Sequence, residues 1–171
     1  LGGVLAAAAL ILYLIFKPAP PDPAMGRTKI VFLAEADYQL DQVITELAEA
    51  WNADSEEIYI DLQLLPAGAI DAKLVVLIAA GDPPDVFAVP EDRFDFFAEQ
   101  GSLLALDYDQ EGQPIYGIQH PAQLTKLVIW GDTVHPEEAL TVLHYFRDNI
   151  PPADLEALRE RGVYTIPMLG F

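Results

Sequence analysis

Between Leu74 and Asp107 the sequence reads LVVLIAAGDPPDVFAVPEDRFDFFAEQGSLLALD, and this stretch admits few folds. Gly81 and Gly101 stand where a helix needs a left-handed residue to stop, and Pro83 and Pro84 bar the first helix from continuing. Val86, Phe87 and Val89 then form a short apolar run that fits a strand covered on both faces. The order predicts a helix to Gly81, a tight Asp82-Pro83-Pro84 turn, a strand from Asp85 to Val89 and a second helix to Gly101. The exit runs through Leu103, Leu104 and Leu106. This is one helix-strand-helix unit of an α/β layer.

The chain before it repeats the pattern. Lys29 to Leu33 reads as a first strand, and Leu40, Val43, Ile44, Leu47 and Trp51 mark one stripe of a helix from about Tyr38 to Asn52. Ile58 to Leu65 alternates as a second strand, and Ile70, Leu74, Leu77 and Ile78 mark the helix leading into the central stretch. Strand, helix, strand, helix, strand at this spacing predicts an α/β fold with a mostly parallel sheet flanked by helices.

The 171 residues predict one soluble domain, and a hydrophobic content of 52% is ample for its core. Net charge is −18, from 27 Asp and Glu against 9 Lys and Arg, so nucleic acid and anionic lipid are repelled by the soluble part. There is no cysteine, which excludes disulfides, thiolate metal sites, thiol catalysis and an acylated lipoprotein cysteine.

Leu1 to Phe16 carries no charge and as a helix measures about 24 Å, slightly less than a hydrocarbon core of about 30 Å. The sequence starts at Leu rather than Met, so a longer span is expected. No A-x-A cleavage site follows Phe16, and the expectation is one N-terminal transmembrane helix, residues 1–17, acting as an uncleaved anchor; the alternative is the core of a cleaved signal. Residues 18–28 are a proline-rich spacer, with Pro18 to Pro23 stiff and extended. Residues 29–171 form the soluble lobe.

From Asp107 to Pro114 an acidic loop mimics the start of a calcium-binding EF-hand, but the twelfth position is Ile118, where a bidentate Glu is required, so a solvated turn is expected. Ile115 to Pro121 and Leu124 to Trp130 read as further strands. A helix follows from Pro136, with Leu140, Leu143 and Phe146 or Arg147 on its face, and a last helix runs from about Ala153 to Arg161, with Tyr164 to Leu169 as a closing tail. His120, His135 and His144 are scattered, and no nucleophile elbow, P-loop or dinucleotide fingerprint is present. No enzyme, no cofactor and no metal is expected.

The run Ala79-Ala80-Gly81-Asp82-Pro83-Pro84-Asp85-Val86, followed by Phe97 to Asp107, resembles the first lobe of the family 1 extracellular solute-binding proteins, receptors of bacterial ABC importers, and most of all the maltodextrin-binding members. The resemblance implies a periplasmic-binding-protein lobe. It covers nearly everything after Lys29, yet where that family's chain leaves for a second lobe, near residues 121–124, this chain passes directly to the returning strand and helix. Either the protein is a one-lobed relative, or the chain joins pieces of a longer one; the absent Met leans toward a longer parent.

In open α/β sheets ligands sit beyond the carboxyl ends of strands. The two loops there are Ala34-Glu35-Ala36-Asp37-Tyr38 and Pro90-Glu91-Asp92-Arg93. The resemblance implies ligand-binding roles for Asp37, Asp92 and Arg93, which match an acid and an Asp-Arg pair of the maltodextrin-binding relatives; Glu35, Tyr38 and Glu91 are second candidates. Carboxylates and a guanidinium suit sugar hydroxyls through paired hydrogen bonds. Two departures bear on sugar: Val89 and Pro90 stand where those relatives carry tryptophan, and Tyr38 replaces a lysine. Helix capping by Asp37 and Glu91 explains the same acids equally well.

The resemblance therefore implies a membrane-anchored, single-pass, extracytoplasmic solute receptor that hands a small molecule, a sugar or oligosaccharide, to an ABC permease by hinge closure. The rival is an accessory or scaffold subunit of a larger membrane complex that reuses such a lobe and binds no solute.

Overall fold

The computed structural model describes residues 22–35, 40–66 and 68–153. The elements in order are β1 (Thr28–Glu35), α1 (Leu40–Asp54), β2 (Ile58–Leu65), α2 (Ile70–Ala80), β3 (Val86–Pro90), α3 (Glu91–Glu99), β4 (Asp107–Tyr108), β5 (Pro114–Ile115), β6 (Gly117–Gln119), β7 (Thr125–Ile129) and α4 (Pro136–Asn149). The predicted anchor, Leu1 to Phe16, lies outside the described residues, as do Asp37, Tyr38 and the predicted last helix and tail beyond Ala153. Among the described residues no helix is long and apolar enough to cross a membrane.

Five strands form one sheet in the order β2-β1-β3-β7-β6. β1 pairs in parallel with β2 from Thr28↔Ile58 to Glu35↔Leu65, and with β3 at Phe32↔Val86 and Leu33↔Phe87. β7 runs antiparallel to both β3 and β6. The sheet is therefore mixed, not mostly parallel. β6 and β7 are joined only by His120 to Leu124, and so short a link cannot carry the crossover that a parallel pair requires.

The element ends follow their residues. Gly81, at φ 73°, closes α2 with its N–H on the Ile78 carbonyl, and the Asp82 N–H reaches the Leu77 carbonyl. Gly101, at φ 66°, turns the chain after α3 in the same way. Pro136 opens α4, where its missing N–H leaves nothing unsatisfied. The loop from Asp107 to Pro114 is a turn between β4 and β5: Asp109 Oδ1 accepts from the Glu111 and Gln113 N–H groups at 2.9 and 2.8 Å. No metal-binding cluster occurs among the described residues. Within the predicted spacer, residues 22–27 fold back on the lobe, and the Arg27 guanidinium donates to the carbonyls of Pro23, Ala24, Asn52 and Ser55.

Both faces of the sheet are covered. On one, α4 buries Ala139, Val142, Leu143 and Phe146, the last edge-on to Phe32 at 4.6 Å. The predicted face shifts slightly, since Leu140 is only half-buried. α1 joins α4 through Trp51 on Tyr145 at 4.8 Å and the Tyr145 hydroxyl on the Leu47 carbonyl. On the other face, Phe97 of α3 meets Phe87 at 6.0 Å, and Leu74 of α2 is buried. Burying such side chains contributes about 1.5–3 kcal/mol each and fixes the sheet that presents the loops. Ile78, predicted on the buried stripe of α2, is exposed.

Candidate functional site

All five strands of the sheet have an end at one edge, β2 at Leu65 opposite Glu35. β1 ends there at Glu35, β3 at Pro90 and β6 at Gln119, while β7, running the other way, begins there at Thr125 opposite Pro90. Four of the six predicted residues, Glu35, Glu91, Asp92 and Arg93, lie on this edge. Asp37 and Tyr38 belong to the loop outside the described residues.

Glu35 is held in place by the Gly68 N–H, which donates to its Oε1 at 2.7 Å and ties the end of β1 to the loop before α2. Glu91 opens α3, and its backbone N–H donates to the Leu124 carbonyl at 3.1 Å. Asp92 is exposed in the same first turn, where the helix dipole favours an acid. Arg93 is not idle. Its Nη2 meets Asp71 Oδ2 at 2.9 Å, and its guanidinium lies over the Phe96 ring at 5.3 Å. The first turns of α2 and α3 are thereby coupled. Both partners are nearly half exposed, so the pair orients the fork more than it stabilises the fold.

Sequence reasoning missed what lies behind this edge. His120, Gln123 and Thr125 are buried polar residues. His120 Nδ1 accepts from the Ala122 N–H at 3.1 Å, which leaves the ring proton on Nε2. Burial pushes the His120 pKa down from 6.5 to about 4. Gln119 Nε2 donates to the carbonyls of Gln123 and Thr125, each at 3.0 Å. Thr125 Oγ1 is buried and finds no partner among the described residues. Scattered histidines gave no sign of this cluster; the short link between two apolar runs was the available signal.

A hollow of about 280 Å³ opens at the opposite, amino edge, between Lys29, Pro84, Asp85, Trp130 and Thr133. Its central carboxylate is already used. Asp85 accepts from the Val31 N–H at 2.9 Å and from the Thr133 hydroxyl at 2.5 Å, locking β1 to the loop before α4. The carboxyl edge, with the Arg93 fork and Asp92 exposed on a helix start, is the better candidate for binding.

Three solved structures illustrate what the chain is similar to. A substrate-binding protein from Listeria monocytogenes in complex with cycloalternan is 25% identical over 47% of this chain and 20% of its own, with a TM-score of 0.41. The sugar-binding protein MalE from Xanthomonas citri is 26% identical over 47% and 20%, TM-score 0.42. A family 1 extracellular solute-binding protein from Alicyclobacillus acidocaldarius is 19% identical over 62% and 30%, TM-score 0.49. The chain thus spans between a fifth and a third of the length of these proteins. No curated protein matches it. The family model described as bacterial extracellular solute-binding protein matches residues 36–130. That span takes in α1 through β7, the loop at Pro90 to Arg93 and the first loop from Ala36 onward, and the chain belongs to the bacterial extracellular solute-binding proteins.

Proposed function

We propose that this chain is the first lobe of an extracytoplasmic receptor for a hydroxyl-rich solute, a sugar or oligosaccharide, held to the cell membrane by Leu1 to Phe16 and serving an ABC permease. The observation that supports the reading is that Glu35, Asp92 and Arg93 stand on one edge of the sheet, the last two within the span that matches the family. A hydroxyl both donates and accepts, so a carboxylate beside an oriented guanidinium can satisfy it twice. Asp37 and Tyr38, which follow Glu35 in the sequence, are further candidates for this set. The lobe binds and does not catalyse.

A calorimetric screen of the full protein against mono- and oligosaccharides tests this. Replacing Asp92 and Arg93 together by Ala is expected to weaken a sugar found there by at least about tenfold, the loss of roughly 1.4 kcal/mol or one charge-assisted bond. Full affinity in that variant would refute the assignment. A scaffold role without solute is favoured by one feature, the direct link from His120 to Leu124, which leaves half a cleft. Absence of any binder, with the protein recovered in a stoichiometric membrane assembly, would establish that alternative.

A further inference from the structure

The outer side of α2 does not look like the outside of an acidic protein. Ile70 and Leu74 face the core, yet Ala72, Val75, Val76 and Ala79 are exposed on the other side, with Val75 at 67% and Val76 at 62%. These four repeat at helical spacing, so the helix has two apolar faces, and a helix apolar all round is normally buried all round. Within the helix only Asp71 and Lys73 are charged. α1, α3 and α4 each carry at least three acids.

We propose that this face is an interface between two copies of the chain, which meet as an antiparallel pair of α2 helices about a two-fold axis passing between Val75 and Val76. An isologous contact needs a patch complementary to itself. The exposed stripe reads Ala72, Val75, Val76, Ala79 in one direction and Ala, Val, Val, Ala in the other, so antiparallel pairing sets Val75 against the second copy's Val76 and Ala72 against its Ala79. Alanines at both ends let the backbones approach, and the valines fill the centre.

Charge points the same way. At −18 per chain two copies repel one another, and from Ala72 to Ala80 α2 carries no acid, so here they can touch without opposing carboxylates. Area sets the strength. A helix of 11 residues is about 16 Å long, and one such contact covers far less than the roughly 800 Å² per partner of a standard stable interface. The pair is therefore weak in dilute solution, and salt, which screens the repulsion, strengthens it.

The absence of cysteine makes the test clean. In the full chain, Val75→Cys puts a single thiol about 1.5 Å along the axis from its copy, whereas Ala79→Cys puts it about 10.5 Å away, beyond the Cα separation of about 4.4–6.8 Å that a disulfide spans. Under mild oxidation Val75→Cys is expected to form disulfide dimers at least about tenfold faster than Ala79→Cys. The double variant Ala72→Cys, Ala79→Cys regains the fast rate, because those positions face each other. Adding Val75→Asp to the double variant slows it again with unchanged melting. Equal slow rates for Val75→Cys and Ala79→Cys would mean random collision and overturn the proposal. So would a monomer whose Val75→Cys thiol resists maleimide, since another part of the polypeptide would then cover the face.

Discussion

His120 makes the stability of this lobe depend on pH in a window of its own. In the fold the imidazole is neutral, with Nδ1 accepting from the Ala122 N–H, and its pKa is pushed down to about 4 by burial. In the unfolded chain it titrates near 6.5. Between those values the unfolded state binds the extra proton, so stability contributed by the neutral ring is complete above pH 6.5 and is lost as pH falls toward 4. A difference of about 2.5 units corresponds to roughly 3 kcal/mol in full, of which roughly 2 kcal/mol is gone by pH 5. The carboxylates also titrate in this range, so a control must isolate the histidine. His120→Asn serves, since its Oδ1 can take over the bond from Ala122 and has no charge to gain. Urea unfolding of both proteins from pH 7.5 to 4.5 should show the native protein losing about 2 kcal/mol more than the variant by pH 5. Parallel curves for the two proteins would refute a buried neutral His120, whatever their absolute stabilities.

Asp85→Ala removes the acceptor shared by the Val31 N–H and the Thr133 hydroxyl and is expected to cost about 2–3 kcal/mol in urea unfolding; a cost below about 0.5 kcal/mol would contradict the lock. Gly117→Ala places a Cβ 2.9 Å from Phe94 Cε2 and 3.0 Å from Val128 Cγ1, so about 1–3 kcal/mol should be lost to overpacking, read as a lower melting temperature. Arg93→Ala should change stability by less than about 1 kcal/mol, because its pair with Asp71 is nearly half exposed; a larger loss would make Arg93 structural and weaken its case as a ligand residue. Thr125→Val keeps the shape and deletes the orphaned hydroxyl, so melting should stay level or rise by the equivalent of about 1 kcal/mol; a clear fall would reveal a partner for that oxygen.

The central stretch was legible because its punctuation is chemical. Gly81, Pro83, Pro84 and Gly101 each forbid an alternative, and β2 spans Ile58 to Leu65 as expected, although its alternation of buried and half-buried residues holds only from Ile58 to Asp61. Strand direction was not legible. Nothing in the composition of Thr125 to Ile129 distinguishes a parallel from an antiparallel neighbour, and only the short link from Gln119 decides it. The site was half legible. Loop positions follow from strand ends, which placed Glu35, Asp92 and Arg93 on one edge. The coupling of Arg93 to Asp71 depends on two helices lying side by side across the sheet, and no local pattern encodes that contact. The outer face of α2 shows the converse error: Ile78 fits an apolar stripe by spacing, but the helix has two such stripes and periodicity cannot rank them.

The turn from His120 to Leu124 bears on how the carboxyl edge is held together. The Gln119 amide bridges the Gln123 and Thr125 carbonyls, the His120 N–H reaches the Thr125 carbonyl at 2.9 Å, and the Ala153 N–H closes on the Pro121 carbonyl at 2.9 Å. These bonds tie the turn to β7 and to the chain that follows α4. Thr125 Oγ1 is the exception. A buried hydroxyl left without a partner costs about 1–3 kcal/mol, and this one sits at the first residue of β7, on the edge where Pro90 ends and α3 begins. Among the described residues it is the buried side-chain oxygen left without a partner. The orphan thus lies on the same edge as the proposed ligand residues, and the hydrogen bonds of the link tie that edge together from within the described residues.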